Sequence, residues 1–218
     1  MRNVNNNLRF LKFTFLRSST MKLSAVYCFC SFVLVHSTEW IWMEEAVFKS
    51  LSAFVIVTSV VPSAVLLYLP ILKICQNSSL IIGIGKTSYQ RKVGKILWII
   101  NGIFVLYYGI GTYLLSKCFF TEGNWLNTEN GLLVWGLELL TLVLFLCLIS
   151  YMFLIFGTKN VNFAVTTACA FVTSYIFWRK IDFIGISIYD MFFLGAVLLM
   201  MYVFAEDSFK RLDFIHWR

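Results

Sequence analysis

The chain has 218 residues, of which 60% are hydrophobic, 18% aromatic and 13% charged, and its mean hydropathy is +0.80. Soluble domains carry roughly 25% charged residues, so this chain has too little polar surface to coat a water-soluble globule of its size. The net charge of +7 does not point to nucleic acid, because the basic residues cluster beside apolar segments rather than on one solvated face with stacking aromatics.

The expected architecture is all-α, a polytopic transmembrane bundle of about six spans, each long enough for a hydrocarbon core about 30 Å thick. Residues 1–22 are basic and free of acid, and are read as a cytoplasmic N-terminal segment. Residues 23–42 are read as the first span, an uncleaved helix or signal anchor. A signal peptide starting at Met21 and cleaved after Ser37 is one alternative, and a mitochondrial transit signal is another. Residues 38–50 hold Glu39, Glu44 and Glu45 against Lys49, beside Trp40 and Trp42, as a non-cytoplasmic loop would.

The second span is expected at 51–72, with Pro62 removing a backbone hydrogen bond and kinking the helix. The basic stretch that follows contains Lys73, Lys86, Arg91, Lys92 and Lys95, which suit anionic cytoplasmic lipid. Its Gly83–Ser88 run, GIGKTS, lacks the earlier glycine of a phosphate loop, since Leu80 stands there. Spans three and four are expected at 96–115 and 131–157. The fourth carries one charge, Glu138, and is apolar on every face.

A fifth span at 162–178 contains the small-residue pairs Ala164/Ala168 and Ala170/Ser174. They predict a place at the bundle centre, and the face 164–174 is a candidate contact for a membrane-protein partner. Arg179, Lys180 and Asp182 are read as an interruption before a sixth span at 183–205, and residues 206–218 as a short cytoplasmic tail. Lysine/arginine bias puts both termini in the cytoplasm, although Arg179 and Lys180 fall on the other side. The N-terminal segment fits insertion at the endoplasmic reticulum, with residence there or elsewhere along the secretory route.

Chemistry is sparse. Glu138 and Asp190 are each the eighth residue of their expected spans, which puts both about 12 Å below the outer boundary. Two acids at matched depth can share a proton or hold a cation, with Arg179 and Lys180 as charge partners. Asn101 and Tyr151 are further polar groups inside spans. His36 and Glu39 would share a face if the first helix continues, a weak metal or acid/base hint without a third ligand, so no metal site is expected, and no cofactor. The six cysteines form neither a disulfide framework nor a zinc spacing. No nucleophile elbow or HExxH occurs. The functional expectation is movement of a small ion or proton, or membership of a complex that does this. A non-catalytic membrane scaffold or assembly factor is the alternative, and a lipid-modifying enzyme a weaker one.

Overall fold

The computed structural model describes residues 22–23, 26–27, 30, 53–75, 86–119, 129–158, 162–184 and 187–211. Most of the expected first span, the loop after it, the glycosylation sequon formed by Asn77, Ser78 and Ser79, and residues 212–218 lie outside these. Helix is the only regular structure among the described residues. Helix α1 is continuous through Ala53–Val55, the π-helical Ile56–Val60 and Val61–Cys75. Helix α2 is Lys86–Phe119, α3 Glu129–Thr158, α4 Phe163–Ile184 and α5 Ile188–Lys210.

Three of these helices are long and apolar enough to cross a membrane, over Ser88–Gly111, Leu132–Phe156 and Ile188–Lys210. Ala53–Leu69 is apolar but shorter. Three of the six expected spans thus have helices of membrane-crossing length among the described residues, and the first falls largely outside those residues. Helix α4 is not one of the three, and Arg179 and Lys180 lie within it instead of interrupting the chain. The helix break falls later, at Ser187, whose hydroxyl accepts from the Asp190 amide while the Asp190 carboxylate accepts from the Ser187 amide. This reciprocal cap starts α5 five residues after the expected start of the sixth span. Helix α2 likewise begins well before its apolar stretch, since Lys, Gln and Arg are good helix formers.

Helix α3 is the axis of the bundle. Along its apolar stretch 67% of residues are buried, against 22% in α5, and it packs on α1, α2, α4 and α5. A helix without a polar face is stable only when surrounded in this way or by lipid. The small-residue face of α4 therefore does not occupy the centre. Ala170 and Ser174 are buried, but Ala164 and Ala168 are exposed. Outward faces are apolar too: Ile103, Leu106, Ile110, Leu199 and Val203 are each more than half exposed. So many large apolar groups facing outward fit a lipid surround better than water.

Packing pairs fix helix directions. Gly94 lies beside Tyr151, Gly109 beside Leu139 and Tyr113 beside Trp135, so α2 and α3 are antiparallel. Phe145 stacks on Phe177 at 5.1 Å and Phe153 meets Phe163 at 5.7 Å, making α3 and α4 antiparallel as well. Tyr151 meets Tyr202 at 6.1 Å, and Tyr89, at the end of antiparallel α2 that lies beside the C-terminal end of α3, meets Phe209 at 6.2 Å, so α3 and α5 run parallel. Carrying the Tyr151–Tyr202 offset along the axes leaves the start of α5 about 12 Å short of the start of α3.

In α1 the π segment absorbs Pro62. Proline has no amide to give to the carbonyl four residues back, which is that of Thr58. That carbonyl accepts instead from the Tyr27 hydroxyl at 2.9 Å. The amide of Val61 bonds to the Ile56 carbonyl, closing the wider π turn. The expected irregularity at Pro62 takes this form, and the Tyr27 contact exists only while the residues before Ser37 remain attached.

Glycine environments separate close packing from free surface. A Cβ on Gly94 would come within 2.7 Å of the Tyr151 hydroxyl, whereas one on Gly102 meets nothing within 4 Å. Gly94→Val is expected to destabilise by about 1–3 kcal/mol through overpacking. Gly102→Ala is expected to be neutral or to stabilise by up to about 1 kcal/mol through helix propensity. Thermal unfolding of the two variants in one detergent checks the contrast.

Candidate functional site

Two polar layers are built into the apolar bundle. The first is a node joining α1, α2 and α3. The Tyr68 hydroxyl donates its one proton to Asn101 Oδ1 at 2.7 Å, with the Leu146 carbonyl as a second, longer acceptor at 3.1 Å. The Asn101 amide nitrogen donates to Cys147 Sγ at 3.5 Å and to Ser150 Oγ at 3.4 Å. Ser150 Oγ in turn donates to the Cys147 carbonyl at 2.7 Å. Tyr68, Asn101, Cys147 and Ser150 are all buried. Each polar atom of Asn101 is thus used, which an amide in an apolar interior requires.

The second layer lies at the α4–α5 turn. Lys180 forms an ion pair with Asp190, whose carboxylate also accepts from the Ser187 hydroxyl at 2.9 Å and the Ser187 amide at 3.2 Å. The Lys180 side chain is 48% exposed and that of Asp190 9%. An exposed ammonium on a largely covered carboxylate keeps one end of the pair in contact with the surroundings. Glu138 lies half-buried on α3. The register of α3 against α5 brings it to within about one residue of the level of Asp190.

Of the candidates expected from sequence, Asp190 and Lys180 meet, and Glu138 lies level with them on the adjacent helix. Arg179 is exposed on α4, one residue from Lys180. Asn101 belongs to the other layer, nearer the middle of the bundle. Asp190 is the third residue of α5 and not the eighth of a span, so its level comes from helix register and not from its place in the apolar run.

Sequence reasoning did not find Tyr68, Cys147, Ser150 or Ser187. Ser187 carried a readable signal, a serine three residues ahead of an acid before an apolar run. Tyr68 and Ser150 carried none, because single polar residues in apolar segments do not announce which helix they face.

Elsewhere in the core the Gln90 amide is buried, with neither polar atom hydrogen-bonded. No cluster of His, Cys, Asp or Glu suited to a metal occurs among the described residues.

Among the described residues these observations define an all-helical protein with three apolar helices of membrane-crossing length, two of which, α2 and α3, join α1 at a buried polar node. No family model, curated protein or solved structure matches the chain.

The node predicts a coupling. Asn101→Ala is expected to cost about 1–3 kcal/mol, because it strands the partners of a buried amide. Tyr68→Phe is expected to cost about 0.5–1.5 kcal/mol. In the double variant the costs should fall short of additive by about 0.5 kcal/mol or more. Denaturant unfolding of the cycle in detergent measures the coupling.

Proposed function

We propose that this chain is a polytopic membrane protein that moves a small cation or proton, or serves as a subunit of a complex that does. The observation that carries the reading is Glu138 level with the Lys180–Asp190 pair, on helices that otherwise present apolar groups. Ionisable groups cost at least roughly 2.5–3.5 kcal/mol inside a bilayer, so three gathered at one level favour a charged ligand. The ligand would enter at the exposed Lys180 end, where the α4–α5 turn stops short of α2 and α3. Release of Asp190 from Lys180 would open the carboxylate to a proton or cation, and Glu138 would share the charge.

In this reading the first span, α1, α2, α3, α4 and α5 make six crossings, with both termini cytoplasmic and the protein in the endoplasmic reticulum or another secretory-pathway membrane. The parallel run of α3 and α5 supports a crossing by α4. If both neighbours traverse the bilayer in the same direction, the chain between them must return. Its 22 residues reach about 33 Å, a length comparable with the hydrocarbon core, although the register ends it short of the level at which α3 begins. Lys73, Lys86, Arg91, Lys92 and Lys95 would then face anionic cytoplasmic lipid.

A second reading, a non-catalytic membrane scaffold or assembly factor, draws on a different observation. Ser187 and Lys180 between them engage both carboxylate oxygens of Asp190, as a purely structural helix cap would. The exposed Ala164 and Ala168 offer a close-packing face for a membrane-protein partner.

Glu138→Gln and Asp190→Asn separate the readings. In proteoliposomes with an imposed proton or cation gradient, each is expected to reduce flux at least about tenfold, the loss produced by about 1.4 kcal/mol. Unchanged flux in both variants, or none in the parent chain, removes the transport reading and leaves the scaffold. Orientation is tested at Asn77: no sugar is expected there, and a mobility shift on endoglycosidase treatment would invert the topology.

A further inference from the structure

Helices α2, α3 and α5 enclose an open groove of about 870 Å³ that runs along α5 from Ile188 to Tyr202 and is walled by Trp98, Leu144 and Tyr151. Its floor is Gly195, where an added Cβ would meet nothing within 4 Å. The groove spans fourteen helical steps of α5, about 21 Å. Its lining is almost wholly apolar, and Trp98 and Tyr202 stand together at one end.

What lies beyond that end selects the occupant. Arg91, Lys95 and Trp98 fall on one stripe of α2 at helical spacing, and both Arg91 and Lys95 are exposed. Across from them on α5, Glu206 extends the line of the groove one turn past Tyr202, but it is paired with Lys210 at 3.0 Å. The mouth therefore keeps a positive excess from Arg91 and Lys95. Tryptophan and tyrosine rings favour the level where acyl chains meet headgroups. The order along the stripe is thus cation, amphipathic ring, apolar trough, which matches phosphate, glycerol and acyl chain.

We propose that this groove is a binding site for one anionic glycerophospholipid, with an acyl chain along Gly195 and the phosphate against Lys95 and Arg91. The proposal rests on the helices being membrane-embedded and deepens the lipid contact inferred above into a discrete site. Lys95 and Arg91 supply charge-assisted hydrogen bonds to phosphate, while the trough fixes which chain is held. A zwitterionic lipid fits the same trough without the net attraction at the mouth.

The experiment uses the full chain reconstituted in phosphatidylcholine vesicles containing a small fraction of lipid with brominated acyl chains, which quench tryptophan on contact. The signal of Trp98 is isolated as the difference from Trp98→Phe. Brominated phosphatidylserine is expected to occupy the Trp98 site roughly fivefold more than brominated phosphatidylcholine at equal mole fraction. Arg91→Gln with Lys95→Gln should abolish the preference while leaving quenching by phosphatidylcholine intact. Gly195→Leu, which the free space over Gly195 accommodates, should fill the trough and reduce Trp98 quenching by both lipids.

Equal occupancy by the two lipids, or a preference that survives loss of both cations, overturns the site. The membrane reading then still stands on bulk quenching of the other tryptophans, and absence of all quenching would remove that reading instead. Efficient disulfide cross-linking of Ala196→Cys between copies in the bilayer would make the groove a seam between copies and also overturn the lipid site.

Discussion

Polar groups carried into an apolar surround are stable there mainly when they find partners within the chain, and outside Gln90 that constraint organises this bundle. The hydroxyls show it most directly. Thr58, Ser63, Thr141, Thr167, Thr173 and Ser174 each donate to the carbonyl four residues back on their own helix. Such bonds let short polar side chains sit in apolar helices without a partner on another helix. An amide is too long and too demanding for that solution, and so Asn101 has its partners on α1 and α3. The node therefore links three helices whose remaining contacts are dispersive and non-directional. Apolar packing supplies the cohesion, and the Tyr68–Asn101–Ser150 geometry ties it to one register.

The same constraint explains α1. Pro62 leaves a carbonyl without its amide, and the helix answers with a π turn and a tyrosine from the segment before it. Pro62 is thus a join between the N-terminal segment and the bundle as well as a local irregularity. The α4–α5 turn is a third instance. Asp190 is held by Ser187 and Lys180, so a carboxylate close to apolar helices is never left without a donor. Whether the pair also opens to a ligand is the difference between a conducting site and a cap.

Much of the architecture was legible in the sequence because it follows from composition. The helical class and the irregularity at Pro62 come from runs of apolar residues and one imino acid, whereas the enclosed position went to α3 and not to the fifth expected span, whose small residues had predicted it. Boundaries were less legible. Lys86 to Lys95 read as loop because charge marks the end of an apolar run, yet those residues are good helix formers and extend α2. Arg179 and Lys180 misled in the same way, and the true break came from a capping serine. The face of α4 was half legible: Ala170 and Ser174 pack inward, while Ala164 and Ala168 face outward, since small residues permit close approach without commanding it. The node was the least legible part, because its members are far apart in sequence and become neighbours only through the antiparallel register of α2 on α3.

The central position of α3 has a consequence for biogenesis. In the proposed membrane topology α3 is apolar enough to enter lipid unaided, with a mean hydropathy of 2.8 along its span. Helix α4 follows it, and the acid that pairs with its Lys180, Asp190, lies on α5. In that topology α4 would be synthesised before the partner of Lys180, so α4 and α5 would enter the bilayer as one hairpin.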